Sequence, residues 1–310
     1  TNDRGLIIKK IQELVERSIQ HANLSPTSIA GVGLALWDTV DPVLKISYGF
    51  SDTPGWSSAW ANFHVGEALK GLFPFPHLVV DDIVRMQAVA EAKYNSSAGP
   101  NFVYILADIG IGMAIMINGE PYIGDSHIAG EIAHIAVGPS DELCDCGNTG
   151  CLHLQTSILS ILSCLRRRMR ESTIRTSLRQ DPDSLTIEQV FVAAGQGDKL
   201  SIQVLTEAGE TLGRGLGIIV NLFGPSQIII GGALGMFSDV FLDAAQRTMR
   251  MTSLSMAAQG VKIIKSELDA TYSGAAGAAA QVINNLFNSK EKNILQLVDA
   301  GILSILPAPR

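Results

Sequence analysis

The sequence predicts an α/β fold in two lobes, and three observations carry that prediction. Short apolar segments typical of buried strands alternate with amphipathic segments typical of helices, the pattern of a sheet covered by helices. The Asn-Gly-Glu turn in IMINGEPY adds a hairpin. A chain of 310 residues is also long enough for two compact units, each with its own core.

The predicted elements follow one another without an internal repeat. The first half predicts, in order, a helix in LIIKKIQELVERSIQHA, a strand in IAGVGLALWD, a helix in SSAWANFHVGEALKGLF, a strand in HLVVDD, a helix in IVRMQAVAEAKYN and the hairpin in NFVYILADIGIGMAIMINGEPYIG. The second half predicts helices in residues 155–171, SLTIEQVFVAAGQG and LSIQVLTEAGETLGRGLGIIVNLF, a strand in SQIIIGGALG, a helix in VFLDAAQRTMR, a strand in VKIIKSE and a small-residue helix in SGAAGAAAQVINNLF.

These elements suggest a division of the chain. We expect a smaller α/β lobe in residues 1–105, joined by the helix at 273–288, and a larger α/β lobe in residues 106–272. Residues 289–310 carry the apolar pattern ILQLVDAGILSIL followed by prolines. We expect them to form a docked tail.

Composition excludes several classes of protein. A net charge of −7 argues against a general nucleic-acid binder, which needs clustered Lys and Arg. The basic run RRRMR follows the apolar ILSILSCL, so we interpret it as the solvated end of an amphipathic helix. No signal peptide or membrane span is evident, and four unevenly spaced cysteines do not indicate a disulfide framework. We therefore expect a cytoplasmic protein without membrane contact.

Three of the four cysteines lie in one short segment, which predicts a metal site. His134, Cys144, Cys146 and Cys151 supply one nitrogen and three sulfurs, the donors of a closed tetrahedral zinc site. Such a site leaves no open position, so the predicted Zn²⁺ is structural rather than catalytic. The alternatives are free core cysteines or a strained disulfide. Cys164 stands apart and is interpreted as a small apolar residue on a helix.

The same segment resembles the signature of the ROK family of repressors, open reading frames and kinases. GEIAH, a spacer of nine residues and CDCGNTGC correspond to the family's GEIGH and CxCGxxGCLE. Further similarities lie in IAGVGLAL, VDD, DIGIG, VNLFGPSQIIIGG and YSGAAGAAA, so the resemblance covers about Ile29 to Phe287. It implies a two-lobed, actin-like (ribonuclease H-like) fold of the ROK and sugar kinase type, with a sugar cleft between the lobes.

The resemblance also implies a set of sugar-binding residues. Asp82 matches the family's aspartate, Asp81 stands where Asn is usual, and Glu131 and His134 match GExxH, whose spacing would place both on one helix face. His134 would hold zinc with one nitrogen and donate to a sugar hydroxyl with the other. His153 replaces the Glu of GCLE, which changes one hydroxyl acceptor and so argues against the usual glucose-like specificity. The alternatives are a helix cap for Asp82 and a surface helix residue for Glu131.

The nucleotide-binding parts of the family pattern are altered. The phosphate loop usually written GTGIG contains Asp108, Gly110 and Gly112, and Asp108 would place a carboxylate beside the phosphates. Leu36-Trp37-Asp38 replaces the family's VPG turn, and the chain begins after the DxGGT phosphate loop. Gly231 and Gly232 match the adenosine-side turn, although Gly-Gly after a buried strand also serves as a simple turn. We therefore do not expect ATP or Mg²⁺ as cofactors.

These similarities imply the carbohydrate-binding and oligomerisation domain of a ROK transcriptional regulator without catalysis. Arg85, three residues after Asp82, also resembles the regulators. The chain shows no N-terminal helix-turn-helix like theirs, so it is either a C-terminal fragment of a longer regulator or a free-standing remnant. We expect the fragment, which would reach DNA only through that absent domain. It would bind a sugar or sugar phosphate and form a homodimer or tetramer. One alternative is an ATP-dependent hexose or amino-sugar kinase with Asp82 as catalytic base. Another is an interaction module whose cleft is filled by Trp37 or the tail.

Overall fold

The computed structural model describes residues 3–49, 61–73, 75–138, 141–171, 176–179 and 181–288. The chain divides into two compact units. The first comprises Thr1–Tyr94, Gly124–Ile128 and Thr271–Arg310, and the second comprises Asn95–Ile123 and Ala129–Ala270. The boundary expected after residue 105 lies after residue 94 instead, because the strand Phe102–Ala107 pairs within the sheet of the second unit. The expected tail, 289–310, lies outside the described residues.

The first unit combines a parallel strand pair, a small antiparallel sheet and four helices among its described residues. Its elements are α1 (Arg4–His21), β1 (Gly31–Leu36), β2 (Val40–Asp41), β3 (Ile46–Ser47), β4 (Phe63–His64), α2 (Val65–Leu69), β5 (His77–Asp82), α3 (Ile83–Tyr94) and α11 (Ala270–Asn288). β1 and β5 pair in parallel, and β2, β3 and β4 form the antiparallel sheet. β5 therefore ends at Asp81 and Asp82, directly before α3.

Small residues allow α11 to pack closely against β1 and α3. Gly33 of β1 lies against the main chain of Ala278, and Gly277 of α11 lies against the carbonyl of Met86. A Cβ atom at either glycine would collide with that main chain. The small-residue pattern SGAAGAAA is thus used for close approach of the helix.

The second unit is built on one five-stranded sheet. Its strands are β6 (Phe102–Ala107), β7 (Ile111–Ile117), β8 (Glu120–Pro121), β9 (Gln227–Gly231) and β10 (Lys262–Lys265), in the order β10-β9-β6-β7-β8. Its helices are α4 (His153–Thr156), α5 (Ile158–Glu171), α6 (Ile187–Gly195), α7 (Lys199–Phe223), α8 (Gly232–Phe237), α9 (Asp239–Thr252) and α10 (Ser255–Gln259). Asn118 and Gly119, with φ of +55° and +82°, form the β7–β8 turn that the NGE signal predicts.

The long helix α7 lies in the centre of the second unit's core. Its buried face carries Gly209, Gly213 and Gly217 at four-residue spacing, and each contacts α9 closely enough to exclude a side chain. Around this pair, buried Leu, Ile and Val side chains from α5, α6 and β9 complete one apolar cluster. The core of the unit therefore depends on the close helix approach at these glycines as well as on large apolar side chains.

The predicted helix in SSAWANFHVGEALKGLF is wrong over most of its described part. Phe63–His64 form β4, and only Val65–Leu69 are helical. The ring of Phe63 is buried in the small core of the first unit, and this burial favours the strand. The Arg4 guanidinium lies 4.8 Å from the centroid of the same ring. Pairing with β3 overrides the helical periodicity of the segment.

The basic run forms the C-terminal part of α5, whose apolar side is buried. Three of its guanidinium groups have partners within the second unit. Arg166 donates to the Pro182 carbonyl at 3.1 Å, Arg168 pairs with Glu207 at 2.6 Å and Arg170 pairs with Asp183 at 2.7 Å. These three arginines therefore form hydrogen bonds and ion pairs within the second unit. Among the described residues, none of the helices has the length and apolar character needed to cross a bilayer.

Replacing Gly277 by Ala should destabilise the protein by about 1–3 kcal/mol, because the new methyl group collides with the Met86 carbonyl. Gly195→Ala is the matched control: it also replaces a helical glycine, but no atom lies within 4 Å of the added Cβ. Urea unfolding, monitored by circular dichroism, gives the stability of both variants. Equal midpoints for the two variants would contradict the close packing.

Asp198→Ala should lower stability at pH 7 by about 1–2 kcal/mol, because Asp198 caps α7. Burial raises the pKa of Asp198, but N–H donors from Ser201 and Ser177 outweigh it and hold the pKa at about 2. A depressed pKa means that the ionised cap stabilises the fold above the ordinary value of 3.8. The difference in the free energy of unfolding between wild type and Asp198→Ala should therefore shrink as pH falls from about 4 toward about 2. Urea midpoints at pH 7 and pH 3 test this, and a pH-independent difference would contradict it.

Candidate functional site

The segment that begins at Cys144 folds into a tight loop held by its own main chain. The Cys144 N–H donates to the Asn148 carbonyl at 2.7 Å, and the Gly147 N–H donates to the Cys144 carbonyl at 2.8 Å. Gly147 and Gly150 have φ angles of +88° and +72°, and a side chain at Gly150 would also collide with main chain. Glycine adopts this conformation without strain. The loop can therefore close tightly enough for its sulfurs to converge.

The structure brings the four predicted metal ligands together. One ligand atom from each of His134, Cys144, Cys146 and Cys151 lies within 4.8 Å of the other three. The Cys146 and Cys151 sulfurs are 3.6 Å apart, and His134 Nδ1 is 3.6 Å from the Cys144 sulfur. Zinc bonds of about 2.3 Å to sulfur and 2.0–2.1 Å to nitrogen give tetrahedral edges of about 3.8 and 3.6 Å. The donor set therefore fits a tetrahedral metal ion, and the cysteines are free thiols rather than a disulfide.

Burial shifts the pKa of three of these four groups, whereas hydrogen bonds outweigh it at Cys146 and lower the pKa of that thiol. Burial raises the pKa of the Cys144 thiol and raises that of Cys151 to about 12. Burial also lowers the pKa of His134, which favours the neutral ring that can bind a metal ion. A cation that enters the cluster must displace thiol protons, so binding releases protons.

His153 lies beside this cluster, a contact that the sequence does not predict. It is the first residue of α4, and its Nε2 atom is 3.1 Å from the Cys144 sulfur. The rings of His153 and His134 meet edge to face, with centroids 5.4 Å apart. Burial lowers the pKa of His153, which favours a neutral ring. The only sequence signal was its place two residues after Cys151.

Glu131 and His134 lie at the two ends of a single 3₁₀ turn rather than on an α-helix: Glu131 precedes the turn, and His134 is its last residue. The turn is Ile132–His134, with Glu131 directly before it. Glu131 lies outside the 3₁₀ helix, with a ψ of 53°, so the helical face expected for the two residues is not formed. Glu131 is exposed, and His134 is half-buried.

Asp81 and Asp82 share one cation, Arg85, in the first unit. A guanidinium nitrogen of Arg85 lies 2.6 Å from Asp81 Oδ1, and its Nε lies 2.8 Å from Asp82 Oδ2. The Arg85 side chain is 3% exposed, and it also donates to the Val40 carbonyl. The signal for this bridge was the spacing of three and four residues, which places side chains together at a helix start.

The two aspartates differ in exposure. The Asp81 side chain is 5% exposed, whereas that of Asp82 is 15% exposed. Burial raises the pKa of Asp81 to about 7 and also raises that of Asp82, while Arg85 opposes the rise in both. Asp82 Oδ1 also accepts the Arg85 N–H at 2.8 Å, so Asp82 caps α3 as the alternative interpretation expected.

The two expected nucleotide loops meet within the second unit through Asp108. Its Oδ2 accepts the Ala233 N–H at 2.8 Å, and its Oδ1 accepts the Ile109 N–H at 2.8 Å. Ala233 follows Gly231 and Gly232, and Gly232 has a φ of +80° with the Ala107 carbonyl where a side chain would be. The Asp108 carboxylate thus accepts the hydrogen bond of the N–H group that follows this glycine turn.

The remaining expected residues are placed as follows. Gly110 lies in the turn between β6 and β7, and Gly112 lies within β7. Asp81 and Asp82 belong to the first unit, whereas Glu131, His134 and His153 belong to the second. Trp37 is 37% exposed.

Comparison with known proteins gives one consistent family. The ROK family model matches residues 2–285. The N-acetylglucosamine repressor of Escherichia coli O6:H1 is 31% identical over 228 residues, which cover 73% of this chain and 55% of that protein. The chain thus spans about half the length of that repressor.

Solved structures of the same family share the fold. A ROK family transcriptional regulator, described as a homolog of the Escherichia coli Mlc protein, matches with a TM-score of 0.77 and 26% identity over 89% of this chain and 68% of that one. A ROK family glucokinase from Streptomyces griseus, solved with glucose and AMPPNP, matches with a TM-score of 0.72 and 20% identity over 88% and 87%. The actin-like α/β fold is therefore confirmed, and the chain belongs to the ROK family.

Proposed function

We propose that this chain is the effector-binding domain of a ROK transcriptional regulator, which binds a carbohydrate without phosphorylating it. A sugar repressor and a transcriptional regulator among its relatives support the regulator assignment. In this proposal, sugar binding shifts a conformational equilibrium of a cytoplasmic homodimer or tetramer, and DNA is contacted by a domain other than this one.

The bridge from Arg85 to Asp81 and Asp82 is the observation that carries the non-catalytic assignment. A sugar kinase needs a carboxylate that accepts the proton of the attacking hydroxyl. In this chain both carboxylates already accept from the buried guanidinium, and one Asp82 oxygen also caps α3. Burial raises the pKa of both aspartates, but the guanidinium opposes this rise and so disfavours the protonated form that a general base must adopt.

The contact between Asp108 and Ala233 supports the same conclusion from the nucleotide side. A nucleotide phosphate bound at the loop of Asp108 would have to displace this carboxylate, which accepts the Ala233 N–H. The displaced carboxylate and the phosphate would also repel each other, at a cost on the order of 1 to 4 kcal/mol at ~4 Å, depending on the local dielectric. The chain therefore carries its own anion where a kinase would bind that of ATP.

The metal in this proposal is structural zinc, held by His134, Cys144, Cys146 and Cys151. Bound there, Zn²⁺ would cross-link the cysteine loop to the 3₁₀ turn that carries Glu131. The loop supplies three ligands and the 3₁₀ turn supplies the fourth, which leaves no position for a reacting water. The metal would thus hold sugar-binding side chains in place.

For the sugar contacts we retain Asp82, Glu131, His134 and His153 and give Asp81 a supporting role. Asp82 is partly exposed and can accept a further hydrogen bond from a hydroxyl. Asp81 is nearly buried and holds Arg85 instead. His134 presents Nδ1 to the metal cluster, which leaves Nε2 as the nitrogen for a hydroxyl.

The kinase and regulator assignments differ in two measurements on the same protein. Over a panel of hexoses, pentoses, N-acetylhexosamines and their phosphates, we expect one compound to raise the melting temperature, since a ligand at 100 times its Kd adds about 2.7 kcal/mol. An ADP-release assay with ATP and Mg²⁺ should stay flat. Turnover of roughly 1–100 per second would establish a kinase. No shift with any compound would favour the interaction module.

With the sugar found in that panel, Asp82→Asn should weaken binding about tenfold or more, because a hydrogen bond to a charged acceptor contributes about 1.5–3 kcal/mol. Isothermal titration calorimetry measures the Kd. Asp243→Asn, on the exposed side of α9, is the matched control and should leave it unchanged. An unaltered Kd for the Asp82 variant would remove Asp82 from the site.

Purified protein should contain about one zinc per chain, and Cys146→Ser should lose it together with several degrees of melting temperature, because three ligands bind far more weakly than four. Elemental analysis and thermal unfolding are the measurements. Cys164→Ser is the matched control, since Cys164 lies on α5 outside the cluster. Zinc that persists in the Cys146 variant would refute the ligand set.

A further inference from the structure

Two imidazole rings reach the same sulfur in the second unit. His134 Nδ1 lies 3.6 Å from the Cys144 sulfur, and His153 Nε2 lies 3.1 Å from it. The four metal ligands need only one nitrogen, and His134 supplies it. The second ring therefore requires an explanation of its own.

The two distances correspond to different kinds of contact. In a tetrahedral site, a nitrogen and a sulfur bound to the same zinc lie about 3.6 Å apart, as His134 and Cys144 do. At 3.1 Å, His153 would need an N–Zn–S angle of about 90° if it were a ligand, far from tetrahedral. That separation suits a hydrogen bond from a ring N–H to sulfur.

We propose that His153 is a positioning residue of the metal cluster, which donates its Nε2–H to the Cys144 sulfur from outside the coordination sphere. This inference rests on the proposed zinc site. Donors to metal-bound groups orient the ligand and tune its charge. Three thiolates and one Zn²⁺ carry a net charge of −1, so a donor on one sulfur offsets part of the excess.

The main chain holds His153 in place for this contact. Its carbonyl accepts the Ser157 N–H at 3.2 Å and the Ser160 hydroxyl at 2.9 Å. Leu152, directly before it, is fully buried, and the Leu152 N–H donates to the Ile135 carbonyl at 2.9 Å. The ring therefore approaches Cys144 from a fixed backbone.

The hydrogen bond also defines the other side of the ring. A neutral imidazole that donates through Nε2 has an unprotonated Nδ1, which can only accept. A ligand hydroxyl that reaches His153 would therefore meet an uncharged acceptor.

The test compares His153→Phe and His153→Gln in the zinc-loaded full chain. Phe keeps a planar ring without a donor, whereas the Gln amide restores an N–H. We expect the Phe variant to retain one zinc per chain but release it to a chromogenic chelator about 10–100 times faster than wild type. The Gln variant should be intermediate, and His21→Phe, at the exposed end of α1, should match wild type.

Cobalt substitution separates the possible roles of the ring. Co²⁺ in the Phe variant should keep the tetrahedral absorption bands of the wild type, because no ligand has changed. Loss of those bands, or of the metal, would make His153 a ligand and overturn the proposal. Unchanged zinc release in the Phe variant would overturn the inference, but the zinc that this variant retains would still support the four-ligand site. Zinc-free wild-type protein would overturn the inference together with the proposed metal.

Discussion

Convergence of one imidazole nitrogen and three sulfurs within 4.8 Å is the constraint on which the candidate site depends. Two glycines with positive φ close the loop, and one turn of 3₁₀ helix brings His134 to it. A metal ion at this point would join two segments that are ten residues apart in the sequence. The side chains beside the cluster, Glu131 and His153, then take their positions from the same cross-link.

A second theme is that charged groups are satisfied within the chain. Arg85 pairs with both aspartates at the end of β5, and Asp108 accepts the N–H that follows the glycine turn. In the proposed function, these two contacts disfavour phosphoryl transfer, because they pair the carboxylates at the positions where a kinase would use its base and bind phosphate. The fold shared with a solved glucokinase is therefore compatible with a different use, because function depends on the site rather than on the fold.

Close packing has its own sequence basis. Glycines in α7 and α11 let these helices pack against a neighbouring main chain. A Cβ atom at these positions would collide with the neighbouring segment, so the close packing requires glycine there. The same residue type serves the turns at Gly147, Gly150 and Gly232 for a different reason, namely a positive φ. These glycines therefore meet two separate requirements, close helix packing and a positive φ.

The sequence by itself determined the α/β class, the family and the four residues of the His/Cys cluster, because strand and helix periodicity and the Cys-x-Cys spacing are local patterns. It also indicated that Asp82 caps a helix and that Asp108 alters a phosphate loop. Tertiary structure decided the strand at Phe63, the unit boundary after residue 94 and the contact between His153 and Cys144. Each of these depends on which distant segment lies alongside. Local periodicity does not contain that information, because pairing in a sheet and contact across a loop are set by the packing of the whole unit.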